Sequence, residues 1–427
     1  MIEDWWRVFN DPVLEEYIAI AAANNPSIKQ AWARILEARA LRNGAAAPLW
    51  PSVDTNFTAD GIHISRNGLI PLNFLSAAGI PIIHRLFTLG FDAVWELDVF
   101  GQTQKQVEAA QDRLESSIEA KNDILITIFA EVARNYIEGR GSQKEIAIKK
   151  RKIELFSQTA KMISQRKNAG LDNALNLDSI EAELARTKSE LPLLQEDFYS
   201  AVFRLSVLLG QLPECLVDQF LCESPLPLNP DVVPLGLRSD LLRRRPDVRR
   251  AERELAAYKA DVSVSIAQCF PSFSLFGDAI YASTKLGNLL KNGPQIGIWG
   301  EMVSFPIFQG GRMMANISAS KARASAALFE YEKAILGALG ETETSIVAYG
   351  KELEREIDLR KSEESHKRVF ELTKKQYEKG LINKIDLFTA EHQYLDTVEN
   401  LVISETNTLV RLIALYKALG GGWEVCP

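Results

Sequence analysis

The sequence of 427 residues contains the same pattern of residues twice. Early matches between the two copies are separated by 220 residues and later matches by 210, so one segment of the first copy is longer by ten residues. The matched positions include Pro26 and Pro246, Pro51 and Pro271, Gly170 and Gly380, and Gly210 and Gly420. Because matches at a fixed spacing indicate copies of one structural unit, the sequence predicts two repeats, 1–225 and 226–427, joined by a proline-rich stretch.

Each repeat is predicted to begin with helices and to continue with a β-hairpin. Asp11-Pro12 and Ser239-Asp240 have the form of helix starts, and second helices are expected over about 26–47 and 246–268. Beyond these helices apolar residues alternate with polar ones, which is typical of strands. The expected strands are 52–63 and 87–99 in the first repeat (a hairpin over about 52–99), and 272–283 and 296–307 in the second (about 272–307).

The remainder of each repeat is predicted to be a long helical hairpin, over 101–210 and 312–420. No proline interrupts the first helix of either hairpin, and Gly170 and Gly380 stand at the expected turns. A helix of that length would extend about 100 Å. Apolar residues recur at heptad spacing, so the returning helices are expected to pack along this seam as antiparallel partners. The seam residues are Leu125, Phe129, Val132 and Tyr136 in the first copy, and Leu328, Tyr331, Ile335, Ala338 and Thr342 in the second.

Composition and motifs argue against several classes of function. A net charge of -7 gives no basic surface for nucleic acid, and no run of about 18 apolar residues predicts a transmembrane helix. The four histidines have no metal-ligand spacing, and neither a phosphate-binding loop nor an H-E-x-x-H motif occurs. The sequence therefore predicts no enzyme, no cofactor and no metal site. The basic run from Arg243 to Arg250 is interpreted as a solvated or ion-paired helix start.

The strands and the long helices together favour a membrane conduit. Helices of this length must bury their apolar seam against other helices. Four strands are too few to close a barrel alone, yet a closed barrel is the strand arrangement that crosses lipid without unpaired edges. Three copies related by cyclic symmetry would supply the missing strands and a tube of helices. Phe91, Trp95, Leu97 and Val99 alternate along one strand face, which suits lipid outside and water inside.

Four stretches resemble the motifs of TolC-type outer-membrane efflux proteins. They are Trp95 to Gly101 (WELDVFG), Leu241 to Val248 (LLRRRPDV), Phe270 to Phe273 (FPSF) and Pro306 to Arg312 (PIFQGGR). The resemblance extends from Trp6 to Gly420, and the motifs occur in the family's order. It indicates in particular the lipoprotein branch of RND efflux systems, the OprM- or NodT-like group.

The resemblance implies a mainly α-helical protein with a small β part. Its tandem long helical hairpins would form a coiled-coil α-barrel, and its two β-hairpins per chain would complete a transmembrane β-barrel in a homotrimer. The implied function is that of the outer-membrane exit duct of a tripartite efflux system, which conducts small molecules such as drugs, metals or other toxic compounds. The implied partners are outer-membrane lipid, a periplasmic adaptor (membrane fusion) protein and an inner-membrane RND-type pump.

The resemblance also implies an iris-like gate at the helix turns. The matching positions are Tyr377, Gly170, Gly380, Lys384, Asp386 and Thr389, with Asp172 and Asp178 as candidate partners of Lys384 or Lys379. Asp386 matches the family's constriction aspartate, whereas Thr389 stands where the family often has a second acidic residue. On a threefold axis, Asp386 would supply three carboxylates that repel anions. The alternative for Asp386 is an exposed aspartate that the helix dipole favours at a helix start.

A second interpretation is an intracellular or periplasmic coiled-coil scaffold that carries two β-hairpins. Its support is the start of the sequence, which shows no signal-peptide pattern, and no lipid-anchor cysteine precedes Cys215. A mature or trimmed chain would begin in the same way. The resemblance instead implies the outer membrane with a periplasmic extension, and no nucleic acid partner.

Overall fold

The computed structural model describes residues 4–63, 83–222, 224–227, 229, 244–291 and 295–421. Long helices dominate these ranges, and the strands form a small sheet. The helices are α1 (Pro12–Asn24), α2 (Pro26–Ala46), α3 (Gln102–Asn168), α4 (Ala174–Leu208), α5 (Val217–Leu221), α6 (Pro246–Ala267), α7 (Arg312–Glu378) and α8 (Lys384–Ala418). The strands are β1 (Ser52–His63), β2 (Ile83–Leu97), β3 (Ser272–Ser283) and β4 (Gln295–Ser304).

The predicted helices and strands are confirmed with small shifts at their ends. Helices α3 and α7 each contain 67 residues, and α4 and α8 each contain 35, so the two helical hairpins have equal lengths. Strand β2 already begins at Ile83, before the predicted start. Strand β4 ends at Ser304, ahead of Pro306, because proline has no N–H to contribute to a strand ladder. The helix expected after Ser239-Asp240 lies outside the described residues.

The four strands form one antiparallel sheet in the order β1-β2-β3-β4. The two predicted hairpins, β1 with β2 and β3 with β4, are both present. Strand β2 also pairs with β3, placing Phe91 opposite Ala279, which the sequence analysis did not predict. The hairpins of the two sequence copies are therefore joined into a single sheet whose outer strands are β1 and β4.

The chain divides into two compact units, and neither follows the sequence repeat. One unit contains 1–34, 117–251 and 331–427, and the other contains 35–116 and 252–330. Each unit takes segments from both halves of the sequence, because α3 and α7 each contribute residues to both units.

The first unit holds the principal hydrophobic core. The predicted seam residues of α3 (Leu125, Phe129, Val132 and Tyr136) are all at most 2% exposed. Trp5 is fully buried, and its ring stacks on that of Tyr416 in α8 with 5.6 Å between the ring centroids. The seam of α7 is less complete within the chain: Ala338 and Thr342 are buried, whereas Leu328 is exposed.

Both repeats close the end of the returning helix in the same way. The Asn25 side-chain amide, directly before α2, donates to the carbonyl of Leu208 at 2.7 Å. The Arg245 guanidinium, directly before α6, donates to the carbonyl of Ala418 at 3.0 Å. Each bond satisfies a carbonyl that the helix end leaves without an internal partner. Arg245 is buried and paired with Asp247, so this member of the basic run is ion-paired rather than solvated.

The second unit contains the sheet and the helix ends next to it. The rings of Phe100 and Phe270 stack with 4.8 Å between their centroids, where β2 leads into α3 and α6 leads into β3. Arg253 of α6 forms an ion pair with Glu115 of α3 at 3.0 Å. Apolar stacking and charge pairing therefore fix α6 against α3 beside the sheet.

Within the described part of the chain, no single helix has the length and apolar character needed to cross a membrane. One bent pair of helices, Ala174–Leu208 with Pro213–Leu221, meets the length and composition requirement together, with a bend of 113°.

A glycine allows α3 to pack closely against α8, and replacing it should destabilise the first unit. A Cβ on Gly141 would lie 2.5 Å from the Thr406 hydroxyl oxygen, too close for a side chain. We expect Gly141→Ala to lower the free energy of unfolding by about 1–2 kcal/mol, because overpacking outweighs the gain in helix propensity. Thermal unfolding followed by circular dichroism measures the change.

The control is Gly340→Ala in α7, where a Cβ would meet nothing within 4 Å. This variant should unfold at the same temperature as the parent or slightly higher. Equal melting temperatures for the two variants would contradict the close contact at Gly141.

Candidate functional site

The first long helix, α3, ends in a tight turn that requires glycine. Gly170 has a φ angle of +72°, in the left-handed region. The Leu171 amide donates to the carbonyl of Arg166 and the Gly170 amide to that of Lys167, both at 2.9 Å. These two bonds define a Schellman motif, in which a residue with a Cβ would be strained by about 1–2 kcal/mol. The predicted turn glycine is therefore placed as the sequence indicates.

The second long helix, α7, ends in the same turn. Gly380 has a φ angle of +71°. The Leu381 amide donates to the carbonyl of Gln376 at 3.0 Å, and the Gly380 amide donates to that of Tyr377 at 2.8 Å. The Tyr377 side chain is half-buried. Tyr377 therefore belongs to the turn through its backbone carbonyl, which accepts the Gly380 amide.

An asparagine caps the helix that follows each turn. The Asn173 side chain accepts from the Asn176 amide at 2.9 Å at the start of α4. At the start of α8, the Asn383 side chain accepts from the Asp386 amide at 3.0 Å, and the Asp386 carboxylate accepts from the Asn383 amide at 3.3 Å. This reciprocal pair is a capping box. Asp386 is exposed and held in a defined position at the helix start.

The remaining acidic and hydroxyl candidates divide between the two turns. Asp172 accepts from the Asn176 side chain at 2.8 Å and from the Asn173 amide at 2.9 Å, and it pairs with Arg166 at 3.4 Å. The Asn176 bond, then the Asn173 amide and Arg166, lower the pKa of the Asp172 carboxyl. Asp178 is exposed. The acidic group of the first turn therefore stays ionised near neutral pH.

The second turn contains Lys384 and Thr389. The Lys384 ammonium lies 5.2 Å from the centre of the Phe388 ring, a cation–π contact. Thr389 is exposed, and its hydroxyl donates to the carbonyl of Ile385 at 2.9 Å. Among the described residues no ion pair joins Lys384 to Asp172 or Asp178, so the suggested pairing of the two turns is not formed within the chain.

Sequence analysis missed two buried lysines of α3 and the carboxylates of α4 and α8 that pair with them, which we call the lysine cluster (Lys149, Lys152, Glu190, Asp396 and Glu399). Lys149 lies 2.8 Å from Glu190 of α4 and 2.6 Å from Glu399 of α8. Lys152 pairs with Asp396 and Glu399. Both lysines are at most 7% exposed. The sequence does show a basic run at 149–152, but such a run is also typical of a solvated helix face and does not indicate burial.

Hydrogen bonds overcome the cost of burial within this cluster. Burial by itself would raise the pKa of Glu399, but bonds from Lys149 and Lys152 outweigh it and lower the pKa. Burial would likewise lower the pKa of Lys149, but bonds to Glu190 and Glu399 raise it. Lys149 and Glu399 therefore stay charged at neutral pH.

Glu145 lies one turn of α3 before Lys149, and its pKa is shifted in the opposite direction to that of Glu399. Burial and then the charge of Glu399 raise its pKa to about 7, against the opposing attraction of Lys149. Its carboxyl group consequently changes charge near neutral pH.

Two comparisons with known proteins identify the family. A profile described as "Outer membrane efflux protein" matches residues 17–211 and again 237–421. The chain belongs to the outer membrane efflux protein family. The chain is 28% identical over 425 residues to the pyoverdine export outer membrane protein OpmQ of Pseudomonas aeruginosa, covering 99% of this chain and 88% of the relative. It is 26% identical to the solvent efflux pump outer membrane protein SrpC of Pseudomonas putida, covering 98% and 87%.

Solved structures of the family share the fold. The outer-membrane channel OprN superimposes with a TM-score of 0.88 at 30% identity, covering 98% of this chain and 92% of that one. The outer membrane protein VceC of Vibrio cholerae has a TM-score of 0.83 at 22% identity, over 98% and 99%, and shows the fold alone. The protein is thus an outer-membrane efflux channel with a TolC-type fold, and it is not an enzyme. The coiled-coil scaffold interpretation is not favoured.

The titration of Glu145 should make stability depend on pH. Its pKa in the folded protein is above the unfolded value, so its contribution is fully present below about pH 4.5 and is lost as pH rises through about 7. We expect Glu145→Gln, which stays uncharged, to be more stable than the parent at pH 8 by about 2 kcal/mol and nearly equal to it at pH 5.

Thermal unfolding of both proteins at pH 5, 6, 7 and 8 measures this difference. Glu138→Gln is the control, because Glu138 on the same helix is paired with Arg134 at 2.8 Å. A Glu145→Gln advantage that does not change between pH 5 and pH 8 would contradict the raised pKa.

Proposed function

We propose that three copies of this chain form the exit duct of a tripartite efflux system, with a periplasmic adaptor and an inner-membrane pump as partners. The relatives named as outer membrane proteins of solvent and toluene efflux pumps support this assignment. The strands would lie in outer-membrane lipid, and the helical hairpins would extend into the periplasm.

The observation that carries the proposal is the four-stranded sheet. Among the described residues, the outer edges of β1 and β4 have no paired strand. Unpaired backbone groups cannot remain exposed in lipid, so the sheet needs a further strand at each edge. Cyclic symmetry supplies both, because β4 of one copy would meet β1 of the next. Phe91, Trp95 and Trp299 lie on the same face of the sheet and are exposed, which suits a lipid-facing surface.

The gate of this duct would lie at the two glycine turns. The capping box fixes the Asp386 carboxylate at the start of α8 and leaves it exposed. Three such carboxylates around one axis would attract cations and repel anions. Thr389 adds no second ring of charge. Tyr377 and Lys384 beside this ring, and Asp172 and Asp178 of the other turn, would line the same constriction.

The repeat of the sequence gives this arrangement its regularity. We interpret 1–225 and 226–427 as two versions of one unit, since both helical hairpins have equal lengths and the same turn geometry. Three copies would then place six similar hairpins around the axis. The cargo would be small molecules, in the class of the pyoverdine and solvents named for the relatives.

The first test is assembly. With an export signal peptide added, the chain should be recovered from the outer-membrane fraction as a trimer, which cross-linking and native mass spectrometry would measure. The same chain without the signal is the control and should not reach that fraction. An exported chain that remains a soluble monomer would contradict the proposal.

The second test separates the charge of Asp386 from its capping role. Asp386→Asn removes the charge but keeps an oxygen that can accept from the Asn383 amide, whereas Asp386→Ala removes both. If the carboxylate ring sets selectivity, both variants should lower the cation preference of the channel in a planar bilayer by about twofold or more.

Asp358→Asn, at an exposed position of α7 far from the turn, provides a charge-matched control with a smaller expected effect. A change in Asp386→Ala alone would assign Asp386 to the helix cap. Unchanged currents in both variants with intact trimers would remove it from the gate.

A further inference from the structure

The lysine cluster connects three helices about 30 Å along α3 from the turn at Gly170, at 1.5 Å per residue. Lys149 bridges α4 and α8, and Lys152 pairs with two carboxylates of α8, one of which it shares with Lys149. Buried lysines are uncommon, because burying a charge is costly unless it is paired. These lysines are fully paired, so the cluster fixes which part of α8 faces α3.

The packing of α8 changes at the level of this cluster. We call residues 401–418 the apolar root, because its inward side chains (Leu401, Val402, Leu409, Leu412, Ile413, Leu415 and Tyr416) are all buried. We call residues 384–396 the turn-side segment. In that segment only Phe388 and Ala390 are buried. The root is therefore attached mainly by apolar contacts, and the turn-side segment has fewer of them: two buried side chains and the stacking of Tyr394 on Phe370 of α7.

Charged contacts hold the turn-side segment instead. Arg151 pairs with Glu391 at 2.6 Å, and Lys152 pairs with Asp396. His392 lies 4.7 Å from the Phe156 ring between these pairs. Parting an apolar interface exposes its surface to water at a cost of about 25 cal/mol per Å². Parting ion pairs exchanges them for hydration, which recovers much of the energy lost.

We propose that the lysine cluster is a latch of the gate, which holds the turn-side segment of α8 to α3 and releases it to swing about the apolar root. This inference rests on the proposed gate at the turns. Closed and released states would differ in whether Lys149 and Lys152 contact Glu399. The apolar root would keep its contacts in both.

Glu145 would make the latch respond to pH. Glu145 lies one helical turn before Lys149 on the same face of α3, and Lys149 contacts Glu399. When ionised, the Glu145 carboxylate repels Glu399, and this weakens the contact of α3 with α8. The latch should therefore hold more firmly at pH 6 than at pH 8. The charged and titratable groups that face the latch are Glu145, Lys149, Arg151 and Lys152 of α3, Glu183, Arg186, Glu190 and Asp197 of α4, and Glu391, His392, Asp396 and Glu399 of α8.

The test is Glu399→Gln, which removes the carboxylate shared by both lysines. Lys149 keeps Glu190 and Lys152 keeps Asp396, so neither buried lysine is left without a partner. Hydrogen exchange of the full chain, measured by mass spectrometry, should be about tenfold faster in 384–396 and unchanged in 401–418. Lys150→Met is the control: Lys150 is exposed beside the cluster, and its loss should change neither segment.

Two results would overturn the latch. One is unchanged exchange in 384–396. The other is equal acceleration in 384–396 and 401–418, which would show that the cluster only stabilises the fold. Exchange does not depend on conduction, so a failed latch is distinguishable from a failed channel assignment.

Channel recordings test whether the latch controls opening. In variants that still assemble as trimers, Glu399→Gln should raise the fraction of time that the channel is open several-fold at pH 6. Glu145→Gln should remove the difference in open fraction between pH 6 and pH 8. An open fraction that is unaffected by Glu399→Gln in conducting trimers would reject the latch while leaving the exit duct in place.

Discussion

The packing of α3 against the helices that return beside it is the contact on which the first unit depends. Most of the stability of a helix in a protein comes from packing of its apolar side, so the 67 residues of α3 need neighbours that cover that side. Leu125 and Tyr136 are fully covered. Gly141 removes the side chain where Thr406 of α8 comes near. Lys149 extends the contact toward the turn by charge rather than by apolar surface.

The ends of the helices show why the two copies fold alike. Each long helix ends at a glycine with positive φ, and an asparagine caps the next helix. The last turn of each returning helix accepts a hydrogen bond from the residue just before the second helix of its repeat. This residue is Asn25 in one copy and Arg245 in the other. These residues differ in charge and size. The shared requirement is a donor for an unpaired helix carbonyl, and either side chain meets it.

Charge is distributed along the hairpins according to its surroundings. At the turn, Asp386 is exposed and is fixed by the capping box. Farther from the turn, Lys149 is buried, Glu399 is half-buried, and each fixes the position of the other. Capping and constriction are compatible roles for Asp386, because the cap uses one carboxylate oxygen and leaves the charge facing solvent. Helix ends and buried pairs therefore position charges that an efflux channel can use.

Much of the fold could be predicted from the sequence because its signals are local. Proline and glycine set the ends of the helices, alternation revealed the strands, and the 220- and 210-residue offsets revealed the repeat. The turn glycines and the helix-start position of Asp386 follow from the same local rules, and the resemblance of motifs such as PIFQGGR indicated the family that the profile confirms.

Only the tertiary structure decided what depends on contacts between distant segments. The pairing of β2 with β3 joins two hairpins that the sequence predicts separately, since strand order is not encoded in alternation. The basic run 149–152 resembles a solvated surface, and two of its lysines are buried because α4 and α8 bring carboxylates to them. The pKa of Glu145 near 7 has the same origin. Local sequence determines which elements form, whereas burial and charge depend on which elements meet.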